Sequence, residues 1–239
     1  MITIIQARSS SSRLPGKVLM PLGDGLVLDQ VIKRAAPFSQ QVVVCTSTDP
    51  SDQGIEDLCQ KRGLVCVRGP LDDVFERYRM ALTDPRVRSS RWFARVTGDC
   101  PLLSTDLACH LIEQIRESDD YLCVRHDDLP RGLTAEFIKK ETFLQIDPSQ
   151  LDGPEKEHVT LHLYEHKERY QCRFLEPPAQ LRHPEFRLTL DYPEDYTLLQ
   201  QLFAGAPDIS AAQAIERLNS EPELRKQNAH CVQKAARSS

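Results

Sequence analysis

Between residues 2 and 118 the chain alternates short β-branched runs with amphipathic segments, and this alternation restricts its fold more than any other feature. "ITIIQA" reads as a buried strand and "LVLDQVIKRAAPF" as an amphipathic helix. "QQVVVCTS" is a second strand, followed by "SDQGIEDLCQKRG", a helix with a serine start and a glycine stop. "LVCVRG" and "RWFARVTG" are further strands. Each precedes a helical pattern, "LDDVFERYRMALT" in the first case and "STDLACHLIEQIRES", opened by Ser104 or Thr105, in the second. Strands separated by helices build a mostly parallel sheet covered on both faces, so an α/β fold is expected. Ligands of such sheets gather beyond the carboxyl ends of the strands. The loops after "ITII", "VVVC" and "ARVT" should therefore share one rim.

The pattern changes after residue 120. Residues 121–187 hold short strand candidates, "YLCVRH", "AEFIKK" and "QCRFLE", around one helix predicted over "PEKEHVTLHLYEHKERY". "FRLTLDYPEDYTLLQQLF" returns to strand, turn and helix. Without repeats or low-complexity linkers, the chain divides into a main domain, 1–206, carrying a small α/β subregion at 121–187, and a helical tail, 207–239. The tail ends in "KQNAHCVQKAARSS", which is expected to fray.

At 239 residues the chain is long enough to bury a proper core. A net charge of −5 provides no global basic field for nucleic acid or anionic lipid, so any bound anion must be held by a local cluster. No apolar run approaches a membrane span, and "MITII" lacks the flank and length of a signal peptide, which points to a cytoplasmic protein with no membrane partner. Eight cysteines without a CxxC pair read as free, buried thiols in a reducing compartment.

Three places could carry chemistry. The polar stretch "QARSSSSRLPGK" directly behind the first strand holds Arg8, Arg13 and Lys17, with four serine hydroxyls between them. It can aim N–H groups and cations at phosphate oxygens, or it can be a solvated turn. In "TGDCPLL", Asp99 follows a strand and Gly98, where a carboxylate can hold Mg²⁺ or simply shape a turn before Pro101. In "LTLDYPED", Asp191 is a candidate second metal carboxylate; it can equally be a helix cap, as can Asp195 within the first turn. Together, two strand-end carboxylates and a cationic loop fit a metal–triphosphate site.

These residues also carry a family resemblance. "IIQARSSSSRLPGKVLMPLG" resembles the signature opening sugar-nucleotide cytidylyltransferases of spore-coat and surface-polysaccharide pathways, and more distantly that of the transferases activating KDO and acylneuraminic acids. Agreement continues in order through "VVVCTSTDPSDQGIEDLC", "VRGPLDDVFERY", "RVTGDCPLL", "PRGLTAEF", "EKEHVTLHLYEH" and "RLTLDYPEDY", over about residues 2–200.

The resemblance implies a nucleotidyltransferase fold, Rossmann-like and close to the nucleotide-binding half of many glycosyltransferases. It implies a reaction in which CTP and an acidic sugar or related acceptor give a CMP conjugate and pyrophosphate, with Mg²⁺ as cofactor. Carried over by position, Arg13, Lys17 and Asp99 are catalytic. Gln6, Ala7, Arg8, Ser10, Ser11, Ser12 and Gly98 join Arg13 and Lys17 around the nucleotide, and Thr46, Ser47 and Asp73 line the base and ribose pocket. Asp99 and Asp191 hold the metal, and Arg131, Glu136 and His158 face the acceptor. A homodimer formed through 121–187 is implied as well. The chain departs from the pattern at Ser10, which stands where relatives usually have glycine, and at Thr134, where they usually have aspartate.

Other clusters invite different readings. His158, His162 and His166, spaced by four, would share one helical face and could bind a transition metal, but no cysteine or strand carboxylate stands near to complete a shell. Asp72 and Asp73 can cap the helix they precede. The Cys100 thiol has no histidine partner in sequence, and Arg86, Arg88 and Arg91 lack interleaved aromatics and read as surface. Two alternative functions follow from the same fold: a non-catalytic nucleotide-binding module, or a glycosyltransferase, for which "TGDCP" offers one aspartate rather than a D-x-D pair.

Overall fold

The strands form where the apolar runs stand. They are β1 (Ile2–Gln6), β2 (Pro21–Leu22), β3 (Gly25–Leu26), β4 (Val42–Ser47), β5 (Val65–Gly69), β6 (Trp92–Thr97), β7 (Tyr121–Val124), β8 (Glu136–Lys139) and β9 (Cys172–Leu175) in a computed structural model that describes residues 1–233. Seven of them make one sheet in the order β5-β4-β1-β6-β8-β7-β9, while β2 and β3 form a small hairpin that the sequence pattern did not reveal. The strands β5, β4, β1 and β6 are parallel; β8 runs antiparallel to both neighbours, and β9 is parallel to β7. The carboxyl ends of β1, β4 and β6 accordingly open on a common rim.

Every residue of β4 is buried, as a strand covered on both faces requires. The period of two divides the apolar side chains between two cores. Ile5, Val44, Ala94 and Val96 pack on one face, and Ile2, Ile4, Val43, Cys45 and Phe93 on the other. The first core is closed by α1 (Val27–Ala35), α2 (Gln53–Lys61), α4 (Thr105–Glu113), α8 (Pro193–Phe203) and α9 (Ala211–Ser220); the second by α3 (Val74–Thr83) and α5 (Lys140–Gln145). Ser104 caps α4 by accepting from the Leu107 N–H at 3.2 Å, and Gly63, at φ 66°, ends the turn after α2.

Two expectations are corrected. The single helix over 154–170 is two short ones, α6 (Gly153–Glu157) and α7 (Leu161–Glu165). His158 leaves helical geometry at φ −100°, ψ 57°, because Val159 is fully buried and Thr160 turns inward to donate to Glu136 at 3.0 Å. Tertiary packing outweighs the helical pattern there. The strand expected over "RLTLD" is not one: among the described residues its single bridge joins Arg131 to Arg187, and Leu188 and Leu190 donate to the carbonyls of Arg131 and Asp99, both at 2.8 Å. The tail, with α10 (Pro222–Lys226), stays attached through Gln233, whose side chain meets Arg187 at 2.7 Å. Residues 234–239 lie outside the described residues.

Gly132 makes the approach of 131 to 187 feasible. Its φ is 98°, and a Cβ there would stand 2.8 Å from the Thr189 nitrogen and 2.9 Å from the Leu188 carbonyl. Gly132→Ala is expected to lower stability by about 1–3 kcal/mol, read as a lowered urea midpoint with an unchanged slope. Among the described residues no helix is long and apolar enough to cross a membrane.

Candidate active site

The loop behind β1 is a pinned structure. Ala7 extends the ladder by donating to the Cys45 carbonyl at 3.0 Å, and Gly98 donates to the Gln6 carbonyl at 2.8 Å. A Cβ at position 98 would lie 3.0 Å from Ala7 Cβ, so glycine lets the ends of β1 and β6 close on each other. Beyond Arg8, buried Asp52 accepts from the Ser9 N–H at 2.6 Å and from the Ser47 N–H at 3.2 Å, which ties the loop to the end of β4. The Ser9 carbonyl then accepts from Ser11 and Gly16 at 2.8 and 2.9 Å. Gly16, at φ 70°, turns the chain into a short helical turn, Lys17–Leu19, and sends Lys17 inward. Ser10 is exposed, and among the described residues no non-glycine has a positive φ, so serine in the glycine position introduces no backbone strain.

The inward charge meets two carboxylates from far along the chain. Lys17 Nζ lies 2.6 Å from Asp99 Oδ2, 2.8 Å from Asp191 Oδ1 and 2.7 Å from the Leu190 carbonyl oxygen. Arg13 reaches the same Asp191 oxygen at 3.1 Å, donates to the Tyr192 hydroxyl at 3.1 Å, and lies 4.6 Å above that ring. Arg187 holds the other Asp191 oxygen at 2.6 Å and reaches Asp195 at 3.0 Å. Asp195 caps α8, taking the N–H groups of Asp191 and Tyr192 at 2.9 and 3.0 Å. Burial by itself would raise the Asp191 carboxyl, but Lys17, Arg13 and Arg187 outweigh it and hold it below the ordinary range. Burial would likewise lower the Lys17 ammonium, and Asp99 and Asp191 raise it instead.

Arg13, Lys17, Asp99 and Asp191 line a cleft of about 1190 Å³ on the carboxyl rim of the sheet, with Arg187 and Asp195 behind them. Gln6, Ala7, Arg8, Ser10, Ser11, Ser12, Arg13, Lys17, Gly98, Asp99, Asp191, Arg131, Glu136 and His158 all stand in its wall, as does Thr134. Thr46, Ser47 and Asp73 do not. The first two are fully buried, Ser47 has its hydroxyl on Asp52, and Asp73 caps α3 by accepting from Glu76 at 2.8 Å. Arg8 turns across the mouth to Glu157 of α6 at 3.1 Å.

Glu136 is engaged inside the wall. It pairs with Arg95 and accepts from the Tyr121 hydroxyl at 2.8 Å. Burial pushes the His158 imidazole down, toward the neutral form. The sequence reading missed Arg187, Tyr192, Asp52 and Arg95. Arg187 alternates in step with Thr189 and Asp191, a period-of-two signal that puts it on the site's face.

The other clusters resolve differently. The His162 and His166 rings lie 4.3 Å apart, tilted by 36°, while the break in the helix separates His158 from their helix. A carboxylate does join the pair: Glu155 Oε1 lies 2.8 Å from His162 Nδ1, while its other oxygen accepts from Asp152 and closes the cap of α6. His162 is buried. All eight cysteines are free; Cys109 is exposed, contrary to the general expectation. Burial pushes the Cys100 thiol up to about 12, away from the thiolate form that a nucleophile needs. Arg86 and Arg91 are on the surface, paired with Asp84 and Glu117 at 2.7 and 2.8 Å.

The similarities of the chain agree with this geometry. The family model described as cytidylyltransferase matches residues 2–235. The chain is 34% identical over 236 residues to the spore coat polysaccharide biosynthesis protein SpsF of Bacillus subtilis, covering 93% of this chain and 95% of that one. It is 28% identical over 177 residues to the 3-deoxy-manno-octulosonate cytidylyltransferase of Acinetobacter baumannii, covering 66% and 68%. Among solved structures, a cytidylyltransferase from Leptospira borgpetersenii superposes with a TM-score of 0.85 at 27% identity, over 98% of both chains. A seven-stranded nucleotidyltransferase sheet, a cationic loop behind its first strand and two carboxylates gathered beneath that loop thus belong to a chain of the cytidylyltransferase family.

Proposed function

We propose that the protein is a Mg²⁺-dependent cytidylyltransferase that joins CMP from CTP to an acidic sugar or related acceptor and releases pyrophosphate. The convergence of Arg13, Lys17, Asp99 and Asp191 carries this reading: four groups spread over 179 positions stand within about 3 Å of their partners at the sheet rim.

The donor set fits magnesium. Two carboxylate oxygens and a carbonyl oxygen surround one cationic point, now the Lys17 ammonium, and all three are the hard oxygens that Mg²⁺ prefers. Asp99 and Asp191 would hold the ion. When bound, it would neutralise charge on the phosphates and polarise their oxygens. Lys17 is a mobile point charge on a flexible stem, so it can pass from the carboxylates to a phosphate oxygen when a cation takes its place. Arg13 keeps its fork at the rim, braced by Tyr192, where it meets phosphate oxygens as a planar donor. Asp52 contributes indirectly, by fixing the loop that aims both cations.

The acceptor side draws on Arg131, Thr134 and His158, with Glu136 and Arg95 as an internally paired wall. An exposed arginine suits an acidic acceptor, and a neutral imidazole can accept a hydroxyl proton. The attacking oxygen and the departing pyrophosphate need alignment more than covalent help, and charged groups held in place supply that.

The test is pyrophosphate release across four nucleoside triphosphates and a library of acidic sugars and phosphonates, with and without magnesium. The expected result is release with CTP, one or more acidic acceptors and magnesium together. Release that is indifferent to magnesium, or sugar transfer from UDP- or GDP-sugars in its place, would overturn the reading.

A further inference from the structure

Among the described residues of the cleft wall, Arg77 stands out as a buried cation with unmet donors. Arg77 of α3 is 1% exposed, and its Nε and Nη1 are buried without a hydrogen-bond acceptor. Its stem passes Gly69 at the end of β5, so closely that a Cβ on Gly69 would lie 2.9 Å from Arg77 Cγ. The side chain then reaches the wall of the large cleft, at the end also lined by Asp72 and Val74. Of the neighbouring acids, Asp73 is committed to the cap of α3 and Glu76 to Arg79 at 3.6 Å, while Asp72 is exposed and makes no hydrogen bond or ion pair with Arg77. The Cys45 thiol, whose titration Arg77 influences, is pushed up to about 12 by burial and supplies no anion. A buried guanidinium with unmet donors is strongly unfavourable unless something the protein binds completes it.

Its position in the sheet says what that something is. β5 lies two strands from β1, roughly 10 Å at the usual strand spacing, on the side away from β6 and Asp99. Arg77 lines the same cleft as Arg13 and Lys17, so a nucleotide whose phosphates rest on those two cations can extend its base toward the β5 end. Cytosine presents O2 and N3 there as adjacent acceptors, and a guanidinium offers two parallel N–H donors, the same match by which arginine reads the adjacent acceptors of guanine. Uracil carries N3–H instead, which opposes donor with donor.

We propose that Arg77 reads the O2/N3 edge of cytosine and sets the choice of CTP over UTP. The inference rests on the cytidylyltransferase reading and adds the base-reading residue to it. Arg77 was absent from the sequence-derived site because it looks like one more charge on an amphipathic helix.

Calorimetric titration in magnesium tests it from both sides. Wild-type protein should bind CTP roughly 10- to 100-fold more tightly than UTP or 3-deaza-CTP, which has C–H in place of N3. Arg77→Met and Arg77→Lys should each lose that factor for CTP and should no longer distinguish CTP from 3-deaza-CTP, since lysine keeps the charge but not the fork. Equal affinity of the wild type for CTP and 3-deaza-CTP would overturn the proposal, and this comparison stands even where a variant fails to fold. A preference that survives in both variants would also overturn it. So would variants that bind CTP normally and raise only the acceptor KM, which would assign Arg77 to the acceptor. Wild-type protein that binds no nucleotide would remove the cytidylyltransferase reading together with the inference, whereas binding without discrimination would remove the inference alone.

Discussion

Asp99→Ala is expected to reduce turnover on the order of a hundred- to a thousandfold while leaving the melting temperature nearly unchanged. Asp99 stands at the rim with its side chain 23% exposed, and Lys17 keeps Asp191 and the Leu190 carbonyl after the substitution. The fold therefore loses one contact out of three at that ammonium. In the proposed reaction, the variant lacks one of the two carboxylates assigned to the phosphate and metal end of the cleft. Steady-state pyrophosphate release beside a thermal melt separates the two effects. Wild-type turnover in this variant would remove Asp99 from the chemistry.

Asp191→Ala should damage both fold and activity. This carboxylate is 10% exposed and shared by Lys17, Arg13 and Arg187, so its removal leaves three cations facing one another in a partly buried site. Breaking a buried pair from one side costs about 3–5 kcal/mol. For a chain of this size that corresponds to a melting temperature lower by roughly 10 °C. Asp195 moderates the loss, because it still holds Arg187 at 3.0 Å.

The pH dependence has a definite sign at each end. Asp191 is held below its ordinary 3.8, so its contribution is present above that value and is lost as pH falls through the folded-state pKa beneath it. Lys17 is held above its ordinary 10.5, so its contribution is complete below that value and is lost as pH rises through the folded-state pKa above it. Urea midpoints should therefore show a plateau between about 4 and 10 in the wild type for this pair. In Asp191→Ala the alkaline loss should shrink, since Lys17 then has only Asp99 to raise it. An unchanged alkaline arm would separate Lys17 from Asp191 energetically.

The spacing of apolar residues was enough to locate β1, β4, β5 and β6 and the helices between them, because short apolar runs bounded by turn and helix signals mark strands of a covered sheet, most plainly in the fully buried β4. It also located the loop behind β1 and the strand-end Asp99, since both sit where local pattern changes abruptly. Local pattern misled where long-range contacts decide the conformation. The helix over 154–170 breaks because Val159 and Thr160 are pulled into the core, and "RLTLD" finds loops rather than a strand to pair with.

What the linear order of residues determined by itself was the doubly covered sheet, its carboxyl rim and the residue types gathered there. Only the tertiary structure decided that Lys17 meets Asp191 across 174 positions, that Asp52 rather than a glycine-rich turn holds the loop, and that Arg77 reaches the cleft with unmet donors. The physical reason is range. Hydrophobic periodicity acts between neighbours one turn or one strand away, whereas the partner of a buried charge is set by which chain segments the whole core brings together.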